Sequence, residues 1–182
     1  MILLVKSNEG KKAIPVLYLD LDGTVREGLD DPLGKFVNGP EDVRVFPEAL
    51  LLMKNWKNSG GRIVGVSNQG GVALGLVKAD SIFDAMLETQ RQCEGLFDKI
   101  YWCTHHPDAK DPEFARCWCR KPASGLVIEA ALDMAQQFQY REFYPPHLAM
   151  FVGDREEDRI CAERVSIGFQ WAPHWRSLAV GL

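Results

Sequence analysis

The sequence contains no apolar run approaching the ~20 residues needed to cross a bilayer. It contains no internal repeat and no low-complexity segment. It has no basic excess: 21 Lys and Arg face 25 Asp and Glu, for a net charge of −4. That balance argues against a non-specific nucleic-acid coat, while leaving room for a local basic pocket. It lacks the even cysteine count of a disulfide framework. The five cysteines are Cys93, Cys103, Cys117, Cys119 and Cys161, and three of them fall within residues 103–119. The opening Met1-Ile2-Leu3-Leu4-Val5 meets Lys6 at once and has no small-residue cleavage pattern after it. A cytoplasmic protein with no membrane partner is expected, with a monomer as the default.

What is present is an ordinary globular balance, 46% hydrophobic and 25% charged, in 182 residues. This suffices for one domain over 1–182 with a sizeable core. Short apolar runs alternate with segments of helical period, the signature of an α/β fold with a mostly parallel sheet. Strands are expected at 16–19, 62–66, 99–102 and 148–152, with an edge strand at 169–172. A helix at 47–58 opens on Pro47, stops at Gly60-Gly61 and turns Leu50, Leu51, Met53 and Trp56 inward. A second at 80–94 presents Ile82, Phe83, Met86, Leu87 and Cys93 to the core and ends at Gly95. A third, capped by Ser124, buries Leu126, Val127, Ala130, Ala131, Met134 and Phe138. A fourth covers 156–164. Residues 26–46 and 103–122 read as long irregular stretches, and the tail after Pro173 as peripheral. Cys93 and Cys161 read as core, and His147 and His174 as surface.

The polar residues follow the strands. Asp20-Leu21-Asp22-Gly23-Thr24 comes after the first, Ser67-Asn68-Gln69-Gly70-Gly71 after the second and Gly153-Asp154-Arg155 after the fourth. Arg120-Lys121 precedes the third helix. In a parallel sheet these groups meet at one rim, where α/β folds bind ligands. Each alone is common turn chemistry. Together they bring mutually repelling carboxylates, which need a cation, and oxygen donors of this kind suit Mg²⁺ and phosphate. Ser67 with nearby amides and the point charge of Lys121 suit phosphate oxygens. In Asp-x-Asp, alternate side chains share one side of an extended segment. One can attack phosphorus while the other handles the leaving-group proton.

Asp20-Leu21-Asp22-Gly23-Thr24-Val25, Ser67-Asn68-Gln69, Lys121-Pro122 and Gly153-Asp154-x-x-x-Asp158 resemble the four ordered motifs of the haloacid dehalogenase (HAD) superfamily. The resemblance covers residues 15–172. It implies a Rossmann-like core, a parallel sheet between helices, with Mg²⁺ and an aspartyl-phosphate intermediate. It implies that Asp20 is the nucleophile and Asp22 the general acid/base. It implies that Ser67, Asn68 and Lys121 bind the phosphoryl group and that Asp20, Asp22 and Asp154 hold Mg²⁺. Asp158 would support that set from behind.

A second cluster stands apart. Cys103-Thr104-His105 and Cys117-Trp118-Cys119 form C-x-H…C-x-C. Three thiolates and one imidazole suit a closed tetrahedral Zn²⁺ site, which has no open position for substrate and is therefore structural. It would staple the 103–119 loop and place Arg120 and Lys121 just beyond it. His106 is left over. Tyr101-x-Cys103-x-His105-His106-Pro107 with Cys117-x-Cys119-Arg120-Lys121-Pro122 resembles the D-glycero-D-manno-heptose 1,7-bisphosphate 7-phosphatases, and the histidinol-phosphate phosphatases have a similar zinc loop. That resemblance implies a small phosphorylated substrate gripped by Arg120 and Lys121, with no large cap domain. Leu21 and Leu74 stand where the heptose family usually has arginine, and Arg155 where it usually has lysine. A phosphorylated sugar other than the heptose bisphosphate is expected on that ground. Gly34-Lys35-Phe36, Gly39-Pro40 and Phe46-Pro47-Glu48 are similar to polynucleotide 3′-phosphatases, the second reading. A non-catalytic zinc-bearing interaction module is the third.

Overall fold

The structure, a computed structural model, describes residues 12–29, 36–139 and 141–181. Gly34 and Lys35 of the polynucleotide-phosphatase-like segment, and the opening apolar run, lie outside these residues. In chain order the strands and helices are β1 (Lys12–Ala13), β2 (Val16–Leu19), β3 (Arg26–Gly28), β4 (Val43–Val45), α1 (Pro47–Asn58), β5 (Arg62–Asn68) and α2 (Ala79–Gln92). They continue with β6 (Lys99–Cys103), α3 (Pro112–Ala115), α4 (Gly125–Gln137), β7 (Glu142–Phe143), β8 (Ala149–Gly153), α5 (Glu156–Arg164), β9 (Gly168–Trp171) and α6 (Ala172–Ser177).

The main sheet has five parallel strands in the order β6-β5-β2-β8-β9. The first of these in sequence, β2, lies at the centre. Its four residues are all buried, which explains why the sequence there is apolar without alternation. Val16 and Tyr18 pack on one face with Leu126, Ala130 and Met134 of α4 and Cys161 of α5. Leu17 and Leu19 pack on the other with Met53 of α1, Ile82 and Met86 of α2 and Trp175 of α6. The result is a three-layer α/β/α fold. Each fully buried Leu, Val, Ile or Met contributes about 1.5–3 kcal/mol by leaving water. Gly60, at φ +86°, lets the chain reverse after α1 into β5.

Several expectations are corrected. Residues 26–46 carry an antiparallel pair, β3 with β4, and a 3₁₀ turn at Pro40–Asp42. No cap domain is present among the described residues between β2 and α1. Phe83 and Leu87 are 50% and 55% exposed, because α2 turns Ile82, Ala85, Met86 and Thr89 inward instead. Leu51 of α1 is likewise exposed while Ala49 and Met53 are buried. The tail is not peripheral: Trp175 of α6 enters the core. Cys93 and Cys161 are buried, and His147 and His174 exposed, as expected.

Candidate active site

The parallel order brings the ends of β2, β5 and β8 side by side, so Asp20, Ser67 and Asp154 share one rim. Gly23, at φ +88°, turns the chain back immediately after Asp22, and a Cβ there would overlap the Asp154 carboxylate. Asp158 enters from the first turn of α5, where its Oδ2 accepts from the Arg155 N–H at 3.1 Å and caps the helix. Lys121 arrives from the loop before α4. The Asn68 side chain holds it there: Lys121 N donates to Asn68 Oδ1 and Asn68 Nδ2 donates to Lys121 O, both at 3.0 Å. Asn68, expected to bind phosphate, thus spends its amide on the backbone of Lys121.

Lys121 Nζ lies 2.6 Å from Asp20 Oδ1, 2.7 Å from Asp158 Oδ1 and 2.7 Å from Val66 O. Burial alone would lower the Lys121 pKa; the carboxylates of Asp20 and Asp158 outweigh it and raise it, so the ammonium stays charged. Asp20 is pushed up to about 6 by burial, against the lowering pull of Lys121 and with further raising by Asp158 and Asp22. Asp154 is also pushed up to about 6, by burial and then by the Asp20 charge. Its Oδ1 is buried without a hydrogen-bond partner among the described residues, and Arg155 Nε stands off at 3.8 Å.

Carboxylate oxygens of Asp20, Asp154 and Asp158 all lie within 4.8 Å of one another. Three carboxylates against one buried ammonium leave an uncompensated negative charge, and an orphaned oxygen points to where a cation fits. The Asp22 carboxylate, expected among the cation's ligands, is not in this group. Arg26 Nε donates to its Oδ1 and Gln69 Nε2 to its Oδ2, both at 2.7 Å. Asp158, expected only as support, lies in that group. Gln69 Nε2 also donates to Ser67 Oγ at 2.8 Å.

Asp20, Asp22, Ser67, Asn68, Lys121 and Asp158 line a cavity of about 20 Å³, room for one ion or water. Phe36, Asn68 and Arg155 also border a second cavity of about 480 Å³. Its lining mixes apolar side chains, among them Leu74, Leu76 and Val77, with polar ones that include Arg120, Arg155 and His106. A small reaction centre opening into a larger mixed pocket suits a phosphate ester with its leaving group in the larger space.

The cysteine–histidine loop closes as its spacing implied. Cys103 Sγ is 3.4 Å from His105 Nδ1 and 3.6 Å from Cys117 Sγ; Cys119 Sγ is 3.1 Å from Cys103 Sγ and 3.4 Å from His105 Nδ1. Metal–ligand bonds of about 2.0–2.3 Å in a tetrahedron set ligand atoms roughly 3.3–3.8 Å apart. Three of these four distances fall in that range and Cys119–Cys103 is tighter, so the four groups are gathered closely enough to surround one cation. Within the loop, Asp111 caps the single turn of α3 by accepting from Glu113 N–H at 3.0 Å. Arg120 N–H donates to Cys117 Sγ at 3.3 Å, and Arg120 Nη1 to His105 O at 3.0 Å. The loop thereby aims Arg120 at the larger cavity.

No family model matches the chain. A Thermoplasma volcanium protein named Probable D-glycero-D-manno-heptose-1,7-bisphosphate 7-phosphatase is 31% identical over 163 residues, covering 87% of this chain and 98% of that one. The chain belongs to the heptose-bisphosphate-phosphatase branch of the haloacid dehalogenase superfamily. The D-glycero-D-manno-heptose-1,7-bisphosphate 7-phosphatase of Chlorobaculum tepidum is 29% identical over 157 residues, 84% of this chain and 75% of that one. The fold matches the crystal structure of the D,D-heptose 1,7-bisphosphate phosphatase of B. bronchiseptica complexed with magnesium and phosphate. The TM-score is 0.65 at 24% identity, over 86% of this chain and 79% of that one.

In this HAD phosphatase the two leucine departures have different meanings. Leu21 is fully buried among Val25, Ile82 and their neighbours, because it alternates to the side opposite Asp20 and Asp22. It lines neither cavity, so it removes no charge from the site. Leu74 does line the larger cavity, as one of its apolar side chains. Three contributors were not legible as such in the sequence: Gln69, Arg26 and Arg176. Arg176 of α6 donates from Nη1 to Gly23 O at 2.7 Å and Thr24 O at 2.8 Å, pinning the turn after the aspartate pair.

Proposed function

We propose that the phosphatase hydrolyses a small phosphorylated sugar, with Asp20 as nucleophile, Mg²⁺ on Asp20, Asp154 and Asp158, and structural Zn²⁺ on Cys103, His105, Cys117 and Cys119. The observation that carries this reading is the Lys121 ammonium 2.6 Å from the Asp20 carboxylate, at the mouth shared with Ser67 and Asp22. Bound to the three carboxylates, Mg²⁺ would neutralise them and the incoming phosphate. Asp20 attacks phosphorus, and the bond to the leaving oxygen breaks. Asp22, entering the cycle protonated, gives that oxygen its proton and is restored by taking one from the water that attacks the aspartyl-phosphate. Phosphate is released and Asp20 regenerated. Lys121 and Ser67 hold the phosphoryl oxygens throughout. Relatives named for a sugar bisphosphate support the substrate class. The polynucleotide and non-catalytic readings are not favoured.

A panel of sugar phosphates, including D-glycero-D-manno-heptose 1,7-bisphosphate, tests the proposal by phosphate release with Mg²⁺. EDTA should stop turnover and Mg²⁺ restore it; turnover indifferent to EDTA would contradict the assignment. For the loop, about one equivalent of zinc should accompany the purified protein. Cys117→Ser should lower both zinc content and Tm, since such sites couple metal binding to folding. Elemental analysis finding no zinc in protein made with zinc supplied would remove that site. Arg120→Ala should raise KM more than it lowers kcat, because the guanidinium faces the leaving-group cavity rather than phosphorus. Steady-state kinetics showing only a kcat loss would place Arg120 in the chemical step instead.

A further inference from the structure

Arg26 is fully buried, in a place where core packing alone would call for an apolar side chain. It opens β3, four residues beyond Asp22. Its Nε donates to Asp22 Oδ1 at 2.7 Å. Its Nη1 donates to Ala85 O of α2 at 3.1 Å and to Thr89 Oγ1. Thr89 Oγ1 in turn donates to Ala85 O at 2.6 Å, so its lone pairs face the guanidinium. The ion pair of Arg26 is with Asp22. A buried guanidinium costs several kcal/mol unless a counter-charge meets it in good geometry. The planar fork dictates that geometry, which a lysine could not reproduce.

We propose that Arg26 is a positioning residue for phosphoryl transfer: it fixes the Asp22 carboxylate through Oδ1, turns Oδ2 toward the Gln69–Ser67 side of the reaction cavity, and anchors that orientation to α2 through Ala85 and Thr89. The inference rests on the phosphatase reading above, with Asp22 as the proton donor and acceptor. Two donors fix the two oxygens of Asp22 from separate elements, Arg26 on β3 and Gln69 after β5. Only the Gln69 side borders Ser67, which lines the small cavity. Proton delivery to the leaving oxygen is therefore the step that a loosened Asp22 loses first. Attack by Asp20, aligned separately by Lys121 and Thr24, is not.

The test compares kcat/KM for a simple alkyl phosphate and for p-nitrophenyl phosphate, whose leaving group departs without a proton. Arg26→Gln should lower kcat/KM about 10²-fold on the alkyl ester and only a few-fold on the aryl ester. Arg26→Lys should not restore the alkyl activity. Thr89→Val keeps the Arg26–Asp22 contact but removes one of the two acceptors of Arg26 Nη1, leaving Ala85 O, and should shift the same ratio by about 5–10-fold. If Arg26→Gln does not fold, Thr89→Val decides. Equal losses on both esters, or an unchanged ratio, would overturn the positioning role while leaving the phosphatase reading intact. A folded wild type inactive on both esters, with Mg²⁺ present, would overturn the two together.

Discussion

Asp20→Asn should eliminate phosphate release, a fall of about 10⁴-fold or more, with the fold intact. The amide has the shape of the carboxylate but cannot form an acyl-phosphate. Stability should hardly suffer. Burial already disfavours the ionised Asp20, pushing it to about 6, so a neutral isostere removes a strained charge. Lys121 keeps a counter-ion in Asp158 at 2.7 Å. Circular dichroism and a thermal melt, run beside the phosphate assay, separate loss of chemistry from loss of fold. A folded Asp20→Asn variant with wild-type turnover would remove Asp20 from the mechanism.

Lys121→Ala should be costly in both respects. It removes the buried ammonium that pairs Asp20 with Asp158 and leaves two carboxylates facing each other. Breaking a buried pair by deleting one partner typically costs 3–5 kcal/mol, roughly 10 °C in Tm for a chain of this size. Turnover should be lost with it, because the phosphoryl charge loses its cation. The stability deficit should depend on pH in chelator-treated protein. A carboxyl raised in the folded state contributes stability below its unfolded value. That stability is lost as pH rises through the folded value, about 6 for Asp20 and Asp154 in the wild type. Without Lys121 Asp20 should rise further, so the gap between variant and wild type should be widest above pH 6 and shrink on acidification. Melts at pH 5 and pH 8 with EDTA check this; a gap independent of pH would mean that Lys121 acts through packing alone.

What the sequence reveals depends on whether a residue's neighbours are local. β2 is legible because four consecutive apolar residues between turn signals fit a central strand and are too few for a helix. α1 is legible to the residue because Pro47 opens it and Gly60-Gly61 closes it. Asp20, Ser67 and Asp154 are legible because each lies at the end of a strand. Cys103, His105, Cys117 and Cys119 are legible because metal-ligand spacing is a local property. Arg26 was not, because a lone arginine after a turn reads as solvated, and its partners Ala85 and Thr89 lie 59 and 63 residues away. Phe83 and Leu87 misled because helical period gives a stripe, while the core face is set by where the sheet lies. It selected Ala85 and Thr89, one small and one polar, over two large apolar neighbours. That Asp158, and not the Asp22 side chain, gathers with Asp20 and Asp154 required knowing how the first turn of α5 packs against the end of β2.

The grip of Arg176 on Gly23 and Thr24 also constrains how the molecule assembles itself. These partners are 153 and 152 residues apart in sequence, and the guanidinium also lies 4.2 Å above the Phe46 ring. During synthesis, the turn carrying the aspartate pair emerges early and the residue that pins it emerges late. Contacts of such long range close only after shorter loops have formed. A nascent chain can therefore pair β2, β5 and β8 and still hold its first catalytic turn loose until α6 docks, so competence for turnover should be among the last properties a refolding molecule regains.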